Sequence, residues 1–147
     1  MGFLLLLILC VIILGYQFKY ARRVEILESY SQSYLITMRI ISVLFVLWGF
    51  FILQSPEFIL ITVLVAIIIM IHPYTTGLSK SEIIYHQWAT GGFAPKAQKI
   101  SEVSKFSTKD SENNFRLTLS IKNQFKIELN FAQEDKQKVL EYLQDIS

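Results

Sequence analysis

Long apolar runs fill the first half of the chain, and shorter alternating patterns replace them after Pro73. Three of these runs are each long enough to cross a bilayer as a helix, because about 17 residues at about 1.5 Å rise per residue extend for about 25 Å. They predict a transmembrane region over residues 1–73, with a polar loop at residues 19–33. The three predicted spans lie at about residues 2–18, 34–54 and 56–73.

The charges around the first run come after it, at Lys19, Arg22 and Arg23, and no basic residue precedes it. This pattern favours a signal anchor with its N-terminus outside over a cleaved signal peptide, which begins with a basic region. In the second run, Arg39 is interpreted as a side chain that reaches back to the headgroups. The alternative is a charge in a transport path, but the other runs offer it no polar partner.

The second and third runs are separated only by residues 54–57, so they are predicted to form an antiparallel hairpin. Ser55, Pro56 and Glu57 are typical of a helix start, with Ser55 as the predicted cap. Apolar residues at near-helical spacing in the first loop predict a helix that extends from the first span or lies along the headgroups. These residues are Phe18, Ala21, Ile26, Tyr30 and Tyr34.

Two strands with strict apolar–polar alternation, at residues 115–121 and 125–131, predict a hairpin whose turn contains Asn123. Less regular strands are predicted at residues 82–88 and 99–108, separated by a turn at Gly91, Gly92 and Pro95. The chain then ends in a predicted amphipathic helix. Residues 74–147 are therefore expected to form a small α+β domain. The apolar stripe of its helix is Val139, Leu140, Leu143 and Ile146.

The distribution of basic residues predicts the orientation of the chain. The first loop is basic, whereas residues 54–57 contain no Lys or Arg. The positive-inside rule therefore places the first loop and the C-terminal domain in the cytoplasm, and Lys80, Lys96 and Lys99 agree with this. The predicted location is a cell membrane, with three spans and an external N-terminus.

A membrane hairpin is followed by "GLSKSEIIY" at residues 77–85, "ISEV" at residues 100–103, a two-strand alternation and a terminal helix. This order resembles bacterial membrane-anchored pleckstrin-homology-like (PH-like) domain proteins, many of them of unknown function. The resemblance covers about half of the chain. It implies a bent antiparallel sheet with a C-terminal helix, and it supplies no catalytic residue. The chain departs from the pattern in its additional first span and in a short, proline-broken segment at residues 93–98.

Candidate catalytic chemistry is sparse in this sequence. His72 and His86 lack a nearby acidic cluster, and Cys10 lies in an apolar run that disfavours a thiolate. The sequence therefore predicts no catalytic residue, no metal site and no cofactor, and we expect a protein that is not an enzyme. The net charge of +2 is too small to indicate nucleic-acid binding.

Basic and aromatic side chains form the remaining candidate surface, because Trp suits the headgroup layer and Lys and Arg attract anionic lipid. The alternatives are that the two arginines only set topology, that Trp88 is a core residue and that the lysines are simply solvated. The candidate contacts to lipid headgroups are Arg22, Arg23, Trp88, Lys96 and Lys99.

The function expected from these features is that of a non-enzymatic, multi-pass membrane protein. Its cytoplasmic PH-like domain would bind a membrane or cytoplasmic protein, or organise a membrane complex. Two alternatives stay open: a small regulatory or immunity-type membrane protein, and an accessory subunit of a membrane-bound enzyme or transporter. The sequence sets no oligomeric state.

Overall fold

The computed structural model describes residues 2–86, 94–122 and 125–144. The chain divides into two compact units. The helical unit comprises Met1–Lys19 and Tyr30–Pro73, and the sheet unit comprises Tyr20–Ser29 and Tyr74–Ser147. The sheet unit therefore includes a segment that precedes the helical hairpin in sequence.

The helical unit contains helices α1 (Gly2–Ala21), α2 (Gln32–Trp48) and α3 (Pro56–Ile71). A π-helical turn, Gly49–Leu53, continues α2, and a 3₁₀ turn, His72–Tyr74, continues α3. The apolar helical segments Gly2–Ala21, Gln32–Ile52 and Pro56–Tyr74 are 20, 21 and 19 residues long, and each is long and apolar enough to cross a membrane. The predicted spans are thus confirmed as helices, with ends shifted by a few residues.

The starts of α2 and α3 are built differently. The Ser31 hydroxyl accepts a hydrogen bond from the Tyr34 N–H at 3.2 Å and so caps α2. Ser55 occupies the equivalent position before α3, but its side chain makes no capping bond, contrary to the sequence prediction. Its backbone carbonyl instead accepts the Ile59 N–H at 2.9 Å.

Small and polar side chains are buried in the α2–α3 hairpin together with Ile61 and Ile68, while most of its large apolar side chains are exposed. Ser42, Thr62 and Ala66 are buried, and a Cβ on Gly49 would overlap the Thr62 side chain, so α2 and α3 approach closely there. Both hydroxyls donate to carbonyls of their own helix, Ser42 to Met38 and Thr62 to Ile59. Close contact through small residues is typical of helix pairs in membranes.

The first sheet of the sheet unit has the antiparallel order β1 (Ile26–Leu27), β2 (Gly77–Leu78), β3 (Glu82–Tyr85) and β4 (Lys96–Lys99). The prediction of a helix throughout the first loop is wrong beyond Ala21, because the segment around Ile26 is a strand. Backbone pairing with β2 and burial of the Ile26 side chain outweigh its helix-like spacing.

Gly77 permits the close pairing of β1 with β2. Its φ of +149° lies in a region that L-residues rarely adopt, and an added Cβ would overlap the Ile26 carbonyl oxygen. A glycine at this position is therefore required for the segment before the hairpin to join the sheet.

The second sheet has the antiparallel order β5 (Val103–Asp110), β6 (Asn114–Ile121) and β7 (Phe125–Ala132). A 3₁₀ turn, Ile100–Glu102, replaces the start of the strand predicted from residue 99. The β6–β7 hairpin and the amphipathic helix are confirmed. The helix, α4 (Lys136–Leu143), follows a 3₁₀ turn at Gln133–Asp135.

The two sheets and α4 enclose one apolar core. The alternating residues of β6 and β7 supply seven of its fifteen buried residues, and the Phe115 and Phe131 rings lie 5.7 Å apart between centroids. Val139 and Leu143 of α4 are fully buried against this core, as the predicted stripe requires. Lys122, with φ of 35°, begins the β6–β7 turn. The predictions for Trp88, Gly91, Gly92, Asn123 and Ile146 concern residues outside the described ranges.

Candidate interaction surfaces

Strand β5 is the most exposed element of the sheet unit. Its first residue, Val103, is buried, and every residue from Ser104 to Asp110 is exposed. It pairs with β6 on one side, and within the described residues no strand pairs with its other side. Half of the backbone N–H and C=O groups of such an edge strand point away from the sheet, where another chain can pair with them.

The face of β5 that lies on the same side of the sheet as the apolar core is also partly exposed to solvent. Phe106 lies opposite Leu119 in the β5–β6 register, yet the Phe106 side chain is 37% exposed while Leu119 is fully buried. Thr108 follows on the same side, opposite the buried Leu117. The apolar core face therefore reaches the exposed edge at Phe106, and Thr108 and Asp110 follow it on the same side.

The opposite, outer face of this three-stranded sheet is basic. Strand alternation and the register bring Lys105, Lys109, Arg116 and Lys126 to this face with one acidic residue, Glu128. The Arg116 guanidinium lies 3.6 Å from the Glu128 carboxylate, and its Nε donates to the Asn130 side-chain oxygen at 3.4 Å. Lys109 lies directly opposite Arg116, so like charges face each other beside the edge.

A second candidate is a polar groove of about 340 Å³ at the β2–β3 turn. One ion pair and one hydrogen bond connect residues that line the groove to the segment that follows α1. The Arg23 guanidinium lies 3.3 Å from the Glu82 carboxylate, and the Tyr142 hydroxyl donates to Glu25 Oε2 at 2.6 Å. The groove is lined by Lys80, Ser81, Glu82, Lys99, Ile100, Ser101 and Tyr142.

The contact between Tyr142 and Glu25 changes the acidity of both groups. The hydrogen bond to the Glu25 carboxylate, together with partial desolvation, raises the pKa of Tyr142 to about 12. The same hydrogen bond, aided by the positive charge of Lys80, lowers the pKa of Glu25. The carboxylates of Glu82 and Glu25 are thus already bound by Arg23 and Tyr142. These two contacts hold the segment after α1 against β3 and α4, so the groove is a structural junction within the sheet unit.

The residues predicted to contact lipid headgroups are distributed over different places in the sheet unit. Arg22 and Arg23 are exposed after the end of α1, and Arg23 pairs with Glu82. Lys99 is the cross-strand neighbour of the same Glu82 in the β3–β4 register. Lys96 lies three residues earlier on β4, and strand alternation places it on the opposite face. Trp88 lies outside the described residues.

The two histidines lie in different units. His86 Nε2 is 2.7 Å from the Thr75 hydroxyl in the sheet unit, and His72 is buried at the end of α3. Within residues 2–86, 94–122 and 125–144, no group of three or more His, Cys, Asp and Glu side chains is placed to hold a metal ion.

Sequence reasoning predicted a strand close to β5 but did not identify it as an open surface. The available signal was the spacing of Ile100, Val103 and Phe106, which is three residues rather than two. A strand whose two sides both carry polar residues cannot bury either side completely. That pattern predicts exposed side chains, but it does not show whether the edge of the strand is unpaired.

Comparison with family models, with curated proteins and with solved structures finds no match to this chain.

Proposed function

We propose that this protein is a non-enzymatic, multi-pass membrane protein whose sheet unit faces the cytoplasm and binds a protein partner. The exposed edge strand β5 is the observation that supports partner binding. An eight-residue strand with an unpaired side in the described structure is a template for a further strand.

The surface of the helical unit supports membrane insertion. Large apolar side chains are exposed on all three helices, among them Leu5 at 67%, Phe51 at 71% and Met70 at 50%. So much apolar surface is unfavourable in water but matches a hydrocarbon environment. The helix lengths of 19–21 residues correspond to about 30 Å, the thickness of the hydrocarbon core.

The basic residues support the proposed orientation, and the folding of the segments before and after the α2–α3 hairpin into one unit supports a paired crossing by α2 and α3. Lys19, Arg22 and Arg23 follow α1, whereas residues 54–57 contain no Lys or Arg. In addition, residues 20–29 and residues 74–144 fold together, so they must lie on the same side of the membrane. If α2 crosses the bilayer, α3 must therefore cross it back, and an N-terminus outside the cell follows when α1 also spans.

The strand order supports the proposed relation to PH-like domains. A four-stranded antiparallel sheet is followed by a three-stranded antiparallel sheet and a C-terminal helix. In this chain the α2–α3 hairpin lies between the first strand, β1, and the second strand, β2. The membrane-spanning hairpin would therefore be an insertion within the PH-like domain. We propose that such an insertion fixes the domain to the membrane through more than one connection.

Cysteine labelling tests the membrane topology. In a Cys10→Ser background, a single cysteine is introduced at Ser111, which is exposed between β5 and β6. A membrane-impermeant maleimide should label Ser111→Cys in inverted vesicles and leave it unlabelled in intact cells. Labelling in intact cells would contradict the orientation, and recovery of a monodisperse protein without detergent would contradict membrane insertion.

Co-purification in mild detergent tests partner binding. A stoichiometric protein that remains bound after cross-linking and washing is the expected result. Failure to retain any protein, under conditions in which the sheet unit stays folded, would contradict the proposed function. Identification of an enzyme or transporter as that partner would favour an accessory-subunit role.

A further inference from the structure

We infer that β5 docks an extended, acidic segment of a partner protein, which adds as a fourth strand to the β5–β6–β7 sheet. The inference deepens the proposed function and rests on it, because it names the kind of partner that the sheet unit would bind.

The backbone of β5 is suited to strand addition. Its register with β6 is irregular only between Val103 and Lys105 and is regular from there to Asp110. The segment contains no proline, which would remove an outward N–H group. Six regular residues at about 3.4 Å each provide an edge of about 20 Å.

The side chains of β5 specify the chemistry of the added strand. Lys105, Ser107 and Lys109 lie on the basic outer face. The alternating positions place Phe106 and Thr108 on the core side, followed by Asp110, whose charge is already paired with Lys136. A partner strand that alternates acidic and apolar residues would match both sides at once, because cross-strand neighbours share a face. Among the described residues, Lys105 and Lys109 lie within ion-pair distance of no carboxylate, so both can pair with a partner.

The same lysines disfavour a second copy of this chain as the occupant. In an antiparallel pairing of two β5 strands centred on Ser107, Lys105 of each copy would lie opposite Lys109 of the other. Like charges directly opposite each other destabilise a strand pair. Lysines on an edge strand are a common means of preventing such self-association, and here they also select for an acidic partner.

The first experiment measures peptide binding to the full-length protein in an uncharged detergent. The probe is a fluorescent eight-residue peptide of alternating glutamate and valine, and the control is the peptide of alternating lysine and valine. We expect only the acidic peptide to bind. Failure of the acidic peptide to bind would overturn the inference.

Charge-reversal variants locate the peptide. Lys105→Glu combined with Lys109→Glu should weaken binding at least tenfold. Lys99→Glu combined with Lys138→Glu makes the same change in net charge on β4 and α4, away from the outer face of β5, and should change binding less than threefold. Equal weakening by both pairs would show attraction to overall charge and would overturn the inference. Amide hydrogen exchange of β6 confirms that each variant is folded.

Backbone methylation separates strand pairing from charge attraction. The acidic peptide is N-methylated at every second amide, in two versions that methylate opposite edges. One version should lose binding at least tenfold and the other should retain it, because a strand uses only one edge to pair. Equal binding of both versions to the protein would overturn strand addition.

A lipid surface is the competing occupant for these lysines. The protein is reconstituted in nanodiscs of phosphatidylcholine, with or without phosphatidylglycerol. Retention of peptide binding in both supports the inference, whereas complete loss in the anionic nanodiscs would assign the lysines to lipid and overturn it.

Failure of this inference can be distinguished from failure of the proposed function. If the native partner co-purifies equally with wild type and with the Lys105→Glu/Lys109→Glu variant, the proposed function stands and the inference is wrong. If the peptide binds as expected but no partner co-purifies, β5 can accept an added acidic strand and the proposed function is wrong.

Discussion

The helical unit and the sheet unit differ in where they place their large apolar side chains. In the α2–α3 hairpin, the small residues Ser42, Thr62 and Ala66 are buried beside Ile61 and Ile68, while most large apolar side chains are exposed, Phe51 at 71%. In the sheet unit, Phe115 and Phe131 are fully buried, and charged residues occupy the outer face of the second sheet. The sheet unit is thus organised for water, where apolar burial drives folding. The exposed apolar surface of the helical unit suits an apolar environment. In such an environment, helices are held together by close packing of their backbones.

The largest expected effect comes from a matched pair of phenylalanine substitutions. Phe131→Ala removes a fully buried ring that packs on Phe115, and it should lower the free energy of unfolding of the sheet unit by about 3–5 kcal/mol. Phe51→Ala truncates an exposed ring and should change stability by about 0.5 kcal/mol or less. Urea unfolding in detergent, followed by amide exchange, measures both. An equal cost would invalidate the contrast between the units.

Gly77→Ala tests whether the segment before the hairpin is part of the sheet unit. Its Cβ would overlap the Ile26 carbonyl oxygen at a strained φ of +149°, with a cost of roughly 1–3 kcal/mol from the backbone strain alone. Faster amide exchange in β1 and β2 should accompany the loss. Gly15→Ala, whose Cβ meets no atom within 4 Å, is the control and should leave the sheet unit unchanged. Unchanged exchange in Gly77→Ala would refute the role of β1.

Gly49→Ala tests close packing in the helical unit. The added methyl would overlap the Thr62 side chain, so α2 and α3 must move apart or distort, at a cost of roughly 1–3 kcal/mol. The double variant with Thr62→Ala removes the overlapping atoms and should recover part of that loss. Disulfide cross-linking between cysteines placed on α2 and α3 reports their separation. Absence of any rescue would show that Thr62 does not set the helix spacing.

The smallest effect is expected for Tyr142→Phe, which deletes the hydrogen bond to Glu25. The folded-state pKa of Glu25 is lowered. The contact therefore stabilises the folded protein at pH values above the usual pKa of 4.5, and this stabilisation is lost as the pH falls through the lowered pKa. The folded-state pKa of Tyr142 is raised to about 12, so its contribution is present below pH 10 and disappears as the pH rises through about 12.

In the Tyr142→Phe variant the pKa of Glu25 should rise toward 4.5, as measured by a carbon-13 NMR titration of its carboxyl group. The hydrogen bond between Tyr142 and Glu25 is exposed to solvent, so the change in stability is small. Tyr85→Phe is the control, because Tyr85 lies in the core cluster and makes no contact that lowers the pKa of Glu25. No change in the Glu25 titration would contradict the assigned hydrogen bond.

Part of this structure could be predicted because its pattern is local. The three long apolar runs, the alternation at residues 115–121 and 125–131, and the stripe at Val139 and Leu143 each specify an element and its buried side. The open edge of β5 could not be predicted in this way. An alternating pattern shows which residues lie on the buried face of a strand and which lie on the exposed face. It does not show whether another strand pairs with the edge, because that strand can come from residues distant in sequence.

The sequence by itself determined the three apolar helices, the hairpin of α2 and α3, and the alternating strands β6 and β7, because periodicity and run length are properties of adjacent residues. Only the tertiary structure decided that Ile26 joins a sheet rather than a helix, that Arg23 pairs with Glu82, and that β5 remains exposed. The first two outcomes depend on backbone pairing between segments separated by the whole hairpin, and the free energy of that pairing outweighs the local preference of a short polar loop. The exposure of β5 depends on which strands the rest of the chain brings beside its edge.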